Sequence, residues 1–114
     1  MRNQTRNTVL GNRVEVADTA AKRRTGLLKH TRLEPGEGLW IVPCEAVHSF
    51  GMKFAIDVIY IDRKKKVRKT RPAMVPRRIS GCLLAHSVIE LPVGAIEKTG
   101  TQAGDQLLFE ERDT

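Results

Sequence analysis

Cys44 and His48 stand four residues apart, so in an extended segment they share one face, and both side-chain types can ligate a transition metal. The same pair could serve as nucleophile and base, with Asp57 or Glu90 orienting the imidazole. Neither chemistry is complete in the sequence. A structural zinc site needs four ligands, and Cys82 and His86 supply the others only if the fold brings them close. No helix start or strained turn is visible beneath Cys44 to activate a thiolate. The simpler reading is a buried thiol beside a histidine satisfied by a backbone carbonyl, with no metal and no cofactor.

Two carboxylates have placements worth reading. Asp57 alternates with Ile59 and Ile61, which puts it on one face of an apolar strand, where a partly buried carboxylate must find a donor or a cation. A structural bond is preferred over catalysis, with Lys53, Arg71 or the amides of a nearby loop as donors. His86 and Glu90 share a strand face with Val88 between them and could meet His48 or Asp57. The preferred reading of that face is a solvated one, in which Glu90 answers the surplus of basic residues. Gly104-Asp105 makes a turn into the last strand.

From Arg63 to Arg78, nine of sixteen residues are Lys or Arg: Arg63, Lys64, Lys65, Lys66, Arg68, Lys69, Arg71, Arg77 and Arg78. Such a ribbon can track phosphates with steep salt dependence, yet it contains no aromatic side chain on which a base could stack. Charges of this kind also protect an edge strand against edge-to-edge pairing without any partner.

The elements that must position these residues follow from pattern and punctuation. Thr8–Leu10 and Arg13–Val16 flank Gly11-Asn12, which suits a hairpin turn. Asp18 or Thr19 can cap a short amphipathic helix carrying Ala20, Ala21, Leu27 and Leu28, which ends before Glu34-Pro35-Gly36. Leu39–Val42 is a buried strand holding Trp40 in the core. Ile56–Asp62, apolar on both alternating faces, is a central strand covered on two sides, turned by the basic tetrad 63–66 into an edge strand, Val67–Arg71. Pro72 and Pro76 interrupt pairing, Ser87–Leu91 is a strand, Pro92–Lys98 a short turn of helix, and Gln106–Glu110 a closing strand.

This combination resembles the family known as domain of unknown function 192, over roughly residues 14–109. The resemblance rests on Arg24-Thr25-Gly26-Leu27-Leu28, on Met52 followed by Ile56–Asp62, and on Val88–Gly94 with Gly104-Asp105. It implies a compact β-dominated domain with one or two small helices, and it supplies no mechanism. The segment His48–Phe54 departs from a commoner Phe-Trp-Met-Lys-Asn-Thr pattern, so a site lined by it would be chemically different here.

The 114 residues, 40% hydrophobic and 29% charged, suit one globular domain spanning 1–114. A net charge of +7 favours acidic surroundings. The two cysteines, in no Cys-x-x-Cys pair, fit a reducing compartment, and no apolar run of signal or membrane length occurs, so a cytoplasmic protein without membrane contact is expected. Neither Gly-x-Gly-x-x-Gly nor a Walker loop is present, which leaves nucleotide-dependent chemistry unsupported. The expected fold is α+β and mainly β, an antiparallel small sandwich or partly closed barrel with one short N-terminal helix. The expected function is non-enzymatic binding of nucleic acid or an acidic protein through the basic hairpin. The rival is a small enzyme or metal site drawn from Cys44, His48, Met52, Asp57, His86 and Glu90.

Overall fold

The computed structural model describes residues 1–110, so the last four positions of the expected domain lie outside the described residues. The chain order is β1 (Arg2–Asn3), β2 (Thr8–Val9), β3 (Arg13–Ala17), α1 (Ala20–Thr25), β4 (Glu37–Ile41), β5 (Ala46–His48), β6 (Ile56–Ile61), β7 (Val67–Met74), β8 (Ile79–Gly81), β9 (Ser87–Pro92), α2 (Ala95–Thr99) and β10 (Leu107–Leu108). Five strands form the main sheet in the order β3-β4-β9-β6-β7, beside a three-stranded sheet β10-β1-β2 and a two-stranded pair β5-β8. The protein is mainly β, and its sheets do not close into a barrel. Among the described residues no helix is long and apolar enough to cross a membrane.

The middle of the sheet is where the sequence pattern is densest. All six residues of β6 are buried, because β7 and β9 pair along its edges and apolar side chains cover both its faces. One face gathers Val58, Tyr60 and Val88 with Leu27 and Met52; the other gathers Ile59, Ile61 and Ile89 with Ile96 and Leu107. Each such aliphatic side chain contributes about 1.5–3 kcal/mol on burial. The basic strand β7 takes the sheet edge as expected, with Val67 pointing into the core and Arg68 outward.

Several expectations are corrected. Thr8–Leu10 and Arg13–Val16 do not form a hairpin. β2 pairs with β1, whereas β3 runs parallel to β4 in the main sheet, so the chain changes sheets at Gly11-Asn12. The Asn12 and Arg13 amides donate to the Gly36 carbonyl at 3.0 and 2.9 Å, and Leu10 is pinned in the core. The helix is capped by Thr19, whose hydroxyl accepts the Lys22 amide at 3.2 Å, but it stops at Thr25 and buries none of its own residues. Gly26 ends it at φ +49, and the apolar anchors Leu27 and Leu28 follow in the turn beyond. Pro72 lies within β7 at an irregularity in its register with β6 rather than ending the strand. The helical turn expected over Pro92–Lys98 is α2, Ala95–Thr99, while Pro92 still belongs to β9. Trp40 is half-buried, edge-on to Phe109 with ring centroids 4.7 Å apart. The β5-β8 pair was not foreseen, since each strand has only three residues.

Candidate functional site

The expected pocket residues separate into three places. Cys44, His48, Met52 and Glu90 line one cleft of about 180 Å³; Asp57 and His86 are elsewhere. β9 brings Glu90 in from the middle of the main sheet, paired with Leu39 on β4 and Val58 on β6. The end of α1 and its following turn supply one wall, with Arg23, Arg24 and Leu28, and the segment through β5 supplies the other. Met52 reaches the cleft from a turn closed by its amide and the Ser49 carbonyl at 3.2 Å, with Gly51 at φ +84.

Glu90 is not on a solvated face. It is 4% exposed. Burial raises its carboxyl to about 7, and no donor offsets this effect among the described residues. Cys44 is held in a similar environment: burial pushes its thiol up, a hydrogen bond to the Ala46 carbonyl at 3.1 Å opposes that, and Glu90 adds to the rise. A thiol poised as a nucleophile requires the opposite direction. His48 is exposed, and among the described residues no three His, Cys, Asp or Glu side chains gather as a metal-binding group.

Asp57 has a structural assignment. Its Oδ1 accepts the Ala73 amide at 2.9 Å, and its Oδ2 accepts the amides of Gly94 at 3.1 Å and Ile96 at 2.8 Å. Backbone amides, rather than Lys53 or Arg71, are therefore the donors. The β7 irregularity makes this possible: Ala73 has φ +48, and its N–H is directed at Asp57. One carboxylate thus joins β6, β7 and the start of α2. Asp105 plays a comparable part near the chain ends, accepting Asn3 Nδ2 at 2.9 Å, Arg6 Nε at 3.1 Å and the Gln102 amide at 3.1 Å. Burial would raise its carboxyl, but these donors hold it below the usual range. The Gly104-Asp105 turn pattern marked its position without revealing these partners.

His86 opens onto a different feature, a depression of about 650 Å³ lined by Arg63, Lys64, Lys66 and Arg68 together with Leu84, Ala85 and Gln106. The one carboxylate among the described residues that line it, Asp62, is already engaged. Its Oδ1 accepts the amides of Lys64 at 2.9 Å and Lys66 at 3.0 Å, and its Oδ2 lies 3.4 Å from Arg68. Burial opposes its ionisation, and these donors outweigh burial and lower its pKa.

The other basic residues are divided. The Lys65 ammonium sits 5.3 Å from the ring centroids of both Trp40 and Phe109, a cation–π arrangement. Lys69 donates to the Gly81 carbonyl at 2.7 Å and lies 5.6 Å from the Tyr60 ring. Arg71 lies farther along β7, and Arg77 and Arg78 lie beyond its far end, where both backbone amides bond to Ser49. Of the nine basic residues, Arg63, Lys64, Lys66 and Arg68 line the depression.

The chain is a small, mainly β domain with a basic depression at a hairpin and a cleft, lined by Glu90, beside a short helix. The chain belongs to the DUF192 family, described as an uncharacterized ACR, which it matches over residues 1–109. It is 34% identical to a UPF0127 protein of Thermococcus sibiricus over 95% of this chain and 73% of that protein. It is 31% identical to a UPF0127 protein of Thermococcus gammatolerans, with the same coverage. A crystal structure of a protein of unknown function from Novosphingobium aromaticivorans shares the fold, with a TM-score of 0.74 at 22% identity, covering 82% of this chain and 71% of that one.

Proposed function

We propose that the protein is a binding domain that grips the phosphate backbone of nucleic acid, without reading sequence, through the β6–β7 hairpin. The observation that carries this reading is that Arg63, Lys64, Lys66 and Arg68 line one depression in which Asp62, the one carboxylate among the described lining residues, is already engaged by two amides and Arg68. A concave site lined by one sign of charge concentrates its counter-ions. His86, in the same lining, adds a hydrogen-bond donor. Among the described residues no Phe, Tyr or Trp lines the depression, which favours phosphate contact over base stacking.

The test is titration of labelled single- and double-stranded oligonucleotides with the native chain and with a triple variant, Arg63→Gln, Lys64→Gln and Lys66→Gln. These three side chains are chosen because Lys65 and Lys69 hold the fold through aromatic rings and a carbonyl. Binding by the native chain that is largely lost in the folded variant is expected. Equal binding by both, or binding of polyglutamate in preference to nucleic acid, overturns the reading.

A further inference from the structure

The Glu90 cleft lies outside the basic depression and has a different chemistry. Its floor carries Glu90, 4% exposed, whose carboxyl group has no protein hydrogen-bond donor among the described residues. The acid opens onto a cavity of about 180 Å³. That is smaller than the roughly 300–1,000 Å³ of sites for drug-sized molecules, so only a small ligand fits.

The lining limits the ligand further. Leu27, Leu28, Ile41 and Met52 give apolar walls, and Arg23 and Arg24, at the end of α1, line the same cleft. Arg23 uses one of its donors on the Asp18 carbonyl at 3.1 Å and has others free in type, since a guanidinium carries five. A ligand with only a positive charge would answer Glu90 and be repelled by two arginines. One with only a negative charge would answer the arginines and face the acid. Charges of both signs on one small molecule match both.

We propose that this cleft binds a small zwitterion, an amino-carboxylate whose ammonium group meets Glu90 and whose carboxylate meets the guanidinium groups of Arg23 and Arg24. The ammonium supplies the donor that Glu90 lacks, and the charge-assisted pair forms away from bulk water, where such pairs are strongest. The arginines offer the fork geometry suited to a carboxylate. Cys44 and His48, the other titratable groups on the cleft, are wall residues with no bond-making role in this binding.

The experiment is titration of isotope-labelled full-length protein, followed by NMR, with glycine, β-alanine, 4-aminobutanoate and 6-aminohexanoate, which carry the same two charges at increasing separation. Butylamine and butanoate serve as single-charge controls. At least one zwitterion is expected to shift the resonances of Glu90, Cys44, Met52 and Leu27 saturably, with at least tenfold tighter binding than either control. Glu90→Gln and Arg24→Gln, each shown to be folded, are expected to weaken that binding at least tenfold. If no member of the series gives saturable shifts, if butylamine binds as tightly, or if both variants bind unchanged, the proposal is overturned. None of these outcomes depends on whether the basic hairpin binds nucleic acid.

Discussion

At the scale of single residues, Glu90 is the most consequential side chain in the protein. Its folded-state carboxyl lies near 7 against an ordinary 4.5, a gap worth about 3 kcal/mol. Because the folded value is raised, the favourable term is fully present below pH 4.5 and is lost as pH rises through 7. Glu90→Gln cannot ionise, so it is expected to gain about 2–3 kcal/mol on the native chain between pH 5 and pH 8.5, measured by urea unfolding at both. An unchanged difference between the two proteins would show that Glu90 ionises without penalty. The alternation of β9 placed Glu90 correctly with Val88, but alternation does not say what covers a face. The cover comes from α1 and the turn after it, separated from Glu90 by more than sixty positions, and local pattern carries no record of that contact.

At the scale of elements, two buried carboxylates act as ties. Asp57→Ala leaves the amides of Ala73, Gly94 and Ile96 without their acceptor and is expected to cost about 3 kcal/mol or more in chemical denaturation. The variant should also speed amide hydrogen exchange in α2 more than in β4. Uniform acceleration across both would mean that Asp57 does not specifically hold the helix. Asp105 ties the N-terminal segment to the last turn, and its lowered carboxyl gives stability that is present above about pH 4 and is lost as pH falls through the folded value. Asp105→Asn is expected to cost about 2 kcal/mol at pH 7 and progressively less below pH 4, checked by thermal unfolding across that range. A cost independent of pH would contradict the ionic role of Asp105.

The strong strands were legible because Ile56–Ile61 and Ser87–Leu91 satisfy the demands of a doubly covered sheet without help from distant residues. The parallel β3-β4 pair was not, since Gly11-Asn12 permits a hairpin locally and only the pairing of β1 with β10 draws β2 away. Similarly, Asp57 was readable as a structural carboxylate from its strand face. Its partners depended on an irregularity at Pro72-Ala73 that strand pattern does not encode.

At the scale of the whole molecule, four of the nine basic residues between Arg63 and Arg78 line one depression. Lys65 and Lys69 are engaged within the fold, and Arg71, Arg77 and Arg78 lie away from the hairpin depression. The excess charge of +7 still favours association with a polyanion at low ionic strength. The specific claim is that the grip is local to Arg63, Lys64, Lys66 and Arg68. The most direct measurement is the slope of log binding constant against log salt concentration for single-stranded nucleic acid, compared between the native chain and the Arg63→Gln, Lys64→Gln, Lys66→Gln variant. Each phosphate contact contributes roughly 0.7 to that slope, so the variant should be shallower by about 2. Slopes equal within error, whatever the affinities, would contradict a phosphate grip at this hairpin.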